Sequence, residues 1–224
     1  MEFVEIFEGE RAQRFDSDIR VRIPGYESIL QLATAAIAPA HPAGSILSVG
    51  CGTGQDVLHL ARDPAFRITA IDPSPDMIAF AAARFRGLGI ERVDLRCGVI
   101  SDLPDEPRYD AALLCFVLHF IPDDGAKDRL LEQIARRLLP GGTLVLTDFA
   151  KTDAFAEDLS MLRAYLDWFS PLAPSARDEY VARVRDRLHL IAPSEYPDRA
   201  RRAGFRAIRP LYASLHVHGW ILER

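Results

Sequence analysis

The chain has few cysteines, and their spacing is not that of a metal site. Three cysteines occur in 224 residues, Cys51, Cys97 and Cys115, and all fall on or next to stretches that we predict to be central strands. Free cysteine is among the most buried residue types, and disulfides are rare in reducing compartments. The sequence therefore predicts buried, reduced thiols in a cytoplasmic protein, and no metal centre.

Long apolar runs are also missing. No stretch reaches the roughly 18 residues that a membrane-spanning helix needs, so we expect no membrane span. Residues 1–5 carry two acids instead of the basic and apolar segments of a signal peptide, which favours a cytoplasmic location. The net charge of −5 argues against a nucleic-acid partner, because phosphate binding needs a basic face. The arginines that accumulate after position 182 are interspersed with acids, which is typical of a solvated helix face. These features favour a small-molecule partner.

Short apolar strands alternate with amphipathic helices, which indicates a parallel sheet with both faces covered. A helix is predicted over 128–139, ending at Pro140. The last two strands are joined too tightly for a crossover and should form an antiparallel pair. With 49% hydrophobic content, residues 1–224 should form a single domain. The predicted strands are 46–49, 67–72, 93–97, 109–116, 143–147, 205–215 and 217–222.

A glycine-rich turn follows the first strand. The stretch 46–56 reads ILSVGCGTGQD, so a short apolar strand runs into a G-x-G-x-G turn and then into an amphipathic helix. Strand, glycine turn and helix form the nucleotide site of open α/β sheets. A dinucleotide fingerprint would need a glycine at position 55, where this chain has Gln55. The turn therefore predicts a nucleoside site that does not depend on pyrophosphate. The alternative is a plain turn between strand and helix.

An acid ends the second predicted strand. Asp72 follows Gly54 by 18 positions, close to the roughly 20 expected for a ribose-binding acid one βαβ unit later. Its alternative role is a cap at the strand end. Ser74 and Pro75 are predicted to start the next helix, as N-cap and first helical residue. Met77 can pack on a base or in the core, and the sequence leaves both open.

The turn and the strand order resemble the class I S-adenosylmethionine-dependent methyltransferases. The resemblance implies a Rossmann-like α/β fold, with a seven-stranded, mostly parallel sheet whose last strand is antiparallel. It also implies S-adenosyl-L-methionine as cofactor, S-adenosyl-L-homocysteine as product and an in-line methyl transfer. Carried over to this chain, it gives as cofactor-binding residues Tyr26, Gly50, Cys51, Gly52, Thr53, Gly54, Asp72, Pro73, Met77, Val99, Ile100, Cys115 and Phe116.

Further residues resemble one branch, the carboxy-S-adenosyl-L-methionine synthases that serve tRNA wobble-uridine modification. The resemblance rests on Asp16, Arg22, the Pro-Gly-Tyr at 24–26, and the stretches 71–78 and 116–120. The chain departs from that branch at several polar positions. Ser48 replaces the motif acid, Val99 an aspartate and Cys115 an asparagine. Val181 stands in the expected phase of a late arginine, with Arg183 two positions away. We therefore expect an ordinary methyl donor and a small-molecule acceptor. A synthase-like enzyme is the alternative, and a cofactor-binding regulator is a third, weaker one.

Two segments outside the sheet are expected to govern the acceptor. Residues 1–40 are predicted to form an N-terminal helical lid, and residues 152–190 a helical insert with aromatic side chains. The insert is equally suited to a homodimer interface, as in the synthases it resembles. His119 follows the fourth strand and is the candidate general base, unless it is only a structural histidine. The candidate substrate-binding residues are Tyr26, His119, Tyr165, Trp168 and Phe169.

Overall fold

In the computed structural model, which describes residues 5–224, seven strands form one sheet. They are β1 (Gly44–Val49), β2 (Phe66–Asp72), β3 (Val93–Cys97), β4 (Tyr109–Cys115), β5 (Leu138–Phe149), β6 (Ala207–Ser214) and β7 (Val217–Glu223). The order is β3-β2-β1-β4-β5-β7-β6, and β7 runs antiparallel to both of its neighbours. The predicted α/β architecture with an antiparallel last strand is confirmed. The expectation for the N-terminus falls mainly on residues 1–4, which lie outside the described residues.

Helices cover both faces of the sheet and one of its ends. They are α1 (Gly9–Gln13), α2 (Phe15–Arg22), α3 (Tyr26–Ile37), α4 (Leu58–Arg62), α5 (Pro75–Gly87), α6 (Ala126–Arg137), α7 (Phe155–Phe169), α8 (Pro174–Asp186) and α9 (Tyr196–Arg202). Ser74 caps α5 as predicted, because its hydroxyl accepts the amide N–H of Met77 at 3.2 Å. Helix α2 was missed by sequence reasoning. No helix among residues 5–224 is long and apolar enough to cross a membrane.

Two details of the sheet differ from the sequence prediction. Strand β5 begins at Leu138, five residues before the predicted start, because Leu138 already pairs with Tyr109 of β4. Cys97 is exposed, since β3 is the edge strand of the sheet, whereas Cys51 is buried and Cys115 half-buried. The prediction of three buried thiols is therefore wrong for Cys97.

The sheet positions a cleft where the strand order reverses. From β1 the chain builds β2 and β3 on one side, then crosses to β4 and β5 on the other. Ligands of open α/β sheets bind at this switch point, beyond the carboxyl ends of the strands. A cavity of about 560 Å³ lies there, and a cluster that joins α3, α7 and α8 borders it through Tyr26 and Tyr180.

Candidate functional site

The cavity gathers nearly all of the residues that the sequence nominated for the cofactor. Gly54 does not line it. His119, the candidate base, lines it as well. The nominated cofactor residues on its walls are Tyr26, Gly50, Cys51, Gly52, Thr53, Asp72, Pro73, Met77, Val99, Ile100, Cys115 and Phe116.

Two positions of the glycine turn require glycine because of the surrounding protein, independently of any ligand. Gly50 has φ +69°, and a Cβ there would lie 2.5 Å from a methyl of Val117. Gly54 has φ +75°, and a Cβ there would lie 2.8 Å from the ring of Phe85. Residues that have a side chain rarely adopt this left-handed backbone conformation. Gly54 therefore serves the packing of α5 behind the turn.

Asp72 is held in place by the backbone that surrounds it. Its Oδ2 accepts the N–H of Gly52 at 2.8 Å, and its Oδ1 accepts the N–H of Ser74 at 2.9 Å. Burial raises the pKa of this carboxyl, while the two backbone bonds act in the opposite direction. A carboxylate offers about four lone-pair sites, so about two remain for a ligand in the cavity. The residue is thus oriented before any ribose arrives.

A second buried acid, Asp56, was not singled out by sequence reasoning. The Ser48 hydroxyl donates to Asp56 Oδ2 at 2.5 Å, and Asp56 lines the cavity. Burial raises its pKa to about 7. Asp56 Oδ1 and the side-chain nitrogen of Gln55 are buried, and neither has a hydrogen-bond partner among the described residues. An acid therefore lies next to Ser48 on the cavity wall, although Ser48 itself replaces the motif acid.

Residues 7–16 are tied to the opposite wall. The Thr53 hydroxyl donates to Asp16 Oδ1 at 2.6 Å, and Arg84 of α5 forms an ion pair with the same carboxylate. The Ser74 hydroxyl also donates to the carbonyl of Phe7. Both ends of this segment are thus fastened next to the glycine turn and the start of α5.

His119, which follows β4, and Asp148 of β5 form a buried pair. Their exposed fractions are 4% and 1%. His119 Nδ1 bonds to Asp148 Oδ1, and the His119 amide donates to Asp148 Oδ2 at 3.0 Å. Because a carboxylate only accepts, Nδ1 carries the proton and Nε2 is the basic nitrogen of the neutral ring. The imidazole also stacks on Phe149, with ring centres 4.6 Å apart. The site thus contains an imidazole whose orientation is fixed by Asp148 and Phe149.

The aromatic residues of α7 lie outside this site. Tyr165, Trp168 and Phe169 do not line the cavity, and Trp168 is 83% exposed. Helix α7 turns Leu159, Leu162 and Leu166 inward, which places Trp168 and Phe169 on its outer side. The structure thus contradicts the expected placement of these three side chains in the substrate pocket. The insert reaches the cavity instead through Ala176, Glu179, Tyr180, Arg183 and Leu188.

The structure shows what stands at three of the positions where the chain departs from the synthase pattern. Val99 leaves an apolar wall, and its amide donates to Asp102 at 2.9 Å. Burial raises the pKa of the Cys115 thiol, so it stays protonated. Arg183 does line the cavity, although the spacing had placed Val181 there, and it pairs with Glu5 at 2.9 Å. A late arginine therefore reaches the cavity from a position two residues beyond the one that the spacing indicated.

Two residues give the wall beside Cys115 its shape. Phe116 has φ +60°, an uncommon value for a residue with a side chain, and strain of this kind clusters at functional sites. Its ring lies 5.7 Å from that of Tyr26. Burial raises the pKa of Tyr26 far above its ordinary value, so its hydroxyl remains a donor.

Comparisons with known proteins agree with this geometry. The family described as "Methyltransferase domain" matches residues 46–142. The carboxy-S-adenosyl-L-methionine synthase of Dichelobacter nodosus is 28% identical over 226 residues, covering 96% of this chain and 90% of that protein. A methyltransferase of Thermotoga maritima, described as a possible histamine N-methyltransferase, has a TM-score of 0.63 at 20% identity and 94% coverage of both chains. Human N-acetylserotonin methyltransferase, solved with S-adenosylmethionine, has a TM-score of 0.64 at 21% identity, over 96% of this chain and 56% of its own.

Proposed function

We propose that this chain, a class I S-adenosylmethionine-dependent methyltransferase, methylates a hydroxyl group of a small-molecule acceptor, with His119 taking the proton. The proposal is carried by one observation: His119, which is paired with the buried Asp148, lines the same cavity as the glycine turn and Asp72. A base that is buried and aligned by a carboxylate helps most where the nucleophile loses its proton as it attacks.

The residues present fit the cofactor. Bound S-adenosylmethionine supplies a methyl group on a positively charged sulfur. Asp72 keeps lone pairs for two ribose hydroxyls, and Val99 with Ile100 offers an apolar wall for adenine. Asp56 Oδ1 and the Gln55 amide nitrogen match the ammonium and the carboxylate of the methionine end, since both atoms are buried without partners. No further acid or base is needed to hold the donor.

In the transfer step, His119 Nε2 would take the proton of the acceptor's hydroxyl. Bound S-adenosylmethionine would supply the methyl group to that oxygen, and its sulfur would keep the electron pair of the S–C bond. The resulting imidazolium would lie against Asp148, which already accepts the amide of His119. The Phe149 amide donates to the same carboxylate at 2.6 Å, so Asp148 is held rigidly. Positioning and proton removal together account for the catalysis.

Two variants test the base. His119→Ala and Asp148→Asn should lower turnover about 10²- to 10⁴-fold, the usual contribution of a general base. Their affinity for S-adenosylhomocysteine should change little, since neither residue is assigned to the cofactor. His59→Gln, on α4 and outside the cavity, is the matched control. The assay is release of S-adenosylhomocysteine with fractionated metabolite extract as acceptor source. Undiminished turnover of His119→Ala across pH would remove His119 from the mechanism.

A synthase-like activity is the second candidate, favoured by Arg183 on the cavity wall and by the similarity to the Dichelobacter protein. Against it stand Val99 and Cys115, and the pairing of Arg183 with Glu5. The mass of the cofactor that co-purifies with the protein separates the two, because a carboxylated cofactor is heavier. We propose that the cofactor bound by this protein is S-adenosylmethionine without the added carboxylate.

The remaining expectations belong to the same proposal. Residues 1–40 would close the cavity as a lid, and residues 152–190 would help to shape the acceptor side of a single domain. A cytoplasmic location, a homodimer and the exclusion of nucleic acid stay predictions. Light scattering of the purified protein tests the dimer directly.

A further inference from the structure

Two buried polar atoms on the acceptor side of the cavity lack partners among the described residues. They are the Nε of Arg22 and the hydroxyl of Tyr180. Both side chains line the cavity, and the Tyr180 side chain is 8% exposed. A buried polar group without a partner is destabilising, so such groups usually meet a ligand, a water or an ion. Two of them on one cavity wall indicate a polar group of a ligand.

The two residues form one unit. The Arg22 guanidinium lies over the Tyr180 ring, 5.5 Å from its centre. Burial raises the pKa of Tyr180, and the charges of Arg22 and Arg183 act in the opposite direction. The Tyr180 hydroxyl therefore stays protonated and sits in the positive field of two guanidinium groups. A donor in a positive field selects an anion.

The local charge fits a single negative group. Asp18 Oδ2 pairs with Nη2 of Arg22 at 2.9 Å, whereas Nε of Arg22 has no partner among the described residues. Glu5 pairs with both Arg11 and Arg183. Among the cavity-lining side chains of residues 5–23 and 176–188, four arginines (Arg11, Arg14, Arg22 and Arg183) face three acids (Glu5, Asp18 and Glu179), which leaves one positive charge.

The surrounding wall is apolar. Ile19, Ile23, Leu188 and the rings of Phe116 and Phe149 line the cavity near this pair. A ligand here thus has an apolar body, either aromatic or acyl, and one polar end.

We propose that Arg22 and Tyr180 form a subsite for a carboxylate carried by the acceptor. The proposal rests on the proposed function, in that it describes the acceptor of the same reaction. A carboxylate fits better than a phosphate, because one excess positive charge and two free donors match one negative charge on two oxygens. The acceptor is then a small hydroxylated acid with an apolar body, held by its carboxylate while His119 faces its hydroxyl.

The test compares aromatic acids with their neutral amides. Benzoate, phenylacetate and 3-phenylpropanoate are each titrated against the matching primary amide, with and without S-adenosylhomocysteine, by saturation-transfer NMR. At least one acid should bind about tenfold more tightly than its amide. That preference should vanish in Tyr180→Phe and Arg22→Gln, and persist in Arg20→Gln, whose side chain pairs with Glu27 outside the cavity.

The outcomes separate the two proposals. Tyr180→Phe removes only an unpartnered hydroxyl and should unfold at the same denaturant concentration as wild type or higher, so lost binding would not reflect misfolding. Equal binding of acids and amides, no binding of any acid, or an acid preference that survives in both variants would overturn the carboxylate subsite. Failure of S-adenosylhomocysteine to bind would instead overturn the proposed function, whatever the acids do.

Discussion

Replacing Asp56 by asparagine should stabilise the protein and lower its affinity for the cofactor. Burial raises the pKa of Asp56 from an ordinary value of 3.8 to about 7. A raised folded-state pKa means that the ionised form is disfavoured in the folded protein. The stabilisation that this group contributes is therefore complete below pH 4 and is lost as pH rises towards 7. Three pKa units correspond to about 4 kcal/mol, which is an upper bound for the loss at pH 8.

Asp56→Asn removes this pH dependence. Without cofactor, its free energy of unfolding should match that of wild type near pH 4 and exceed it by a few kcal/mol at pH 8. The Ser48 hydroxyl still has a polar partner, since an amide oxygen accepts as a carboxylate oxygen does. Denaturant unfolding at pH steps from 4 to 8.5 measures the difference. Glu91→Gln, an exposed acid, is the control that should show no comparable change.

Cofactor affinity should move the opposite way. In the proposed binding mode the ionised carboxylate would face the ammonium of the methionine end, and such a charge-assisted bond contributes about 1.5–3 kcal/mol. Calorimetry with S-adenosylhomocysteine should show wild-type affinity rising from pH 5.5 to 7.5, with Asp56→Asn weaker at pH 7.5 and nearly flat across the range. Parallel stability profiles of wild type and variant, or unchanged affinity at pH 7.5, would refute the reasoning.

Further predictions concern the other side of the site. Asp72→Ala should weaken S-adenosylhomocysteine binding by about 2–3 kcal/mol for two lost charge-assisted bonds, whereas Asp94→Ala on the neighbouring strand should not. Unchanged affinity of Asp72→Ala in calorimetry would show that Asp72 does not bind the ribose hydroxyls. Gly54→Ala should lower the free energy of unfolding by about 2–4 kcal/mol, because it adds left-handed strain and a clash with Phe85. Gly87→Ala, where a Cβ meets nothing within 4 Å, should be neutral or stabilising, and equal unfolding midpoints for the two variants would contradict the clash.

The features that sequence reasoning found are local. The glycine turn, Asp72 and the Ser74 cap each depend on a few consecutive residues, and the strand order follows from their alternation with helices. Helix α7 shows the limit of this approach. Its apolar positions form two overlapping stripes, one through Leu159, Leu162 and Leu166 and one through Tyr165 and Phe169. Only packing against α3 and α8 decides which stripe faces inward.

The contacts that sequence reasoning missed join distant parts of the chain. Asp56 reaches Ser48 because the turn folds back over eight residues, and a list of spacings does not contain that path. Asp16 meets Thr53 and Arg84 across 37 and 68 positions. Arg183 reaches the cavity because the orientation of α8 is set by its packing against α7, which spacing alone does not fix.

The left-handed turn has a consequence for how the ligand is received. Val117 and Phe85 fill the space beside Gly50 and Gly54, and Asp72 already holds the amide of Gly52. The packing beside the two glycines and the hydrogen bond to Gly52 are in place without a bound nucleoside. The loop is therefore preorganised, and little conformational entropy remains to be lost there on binding. Among the described residues that line the cavity, the unmet buried polar atoms belong to Asp56, Gln55, Arg22 and Tyr180, and selectivity among ligands should reside in those four side chains.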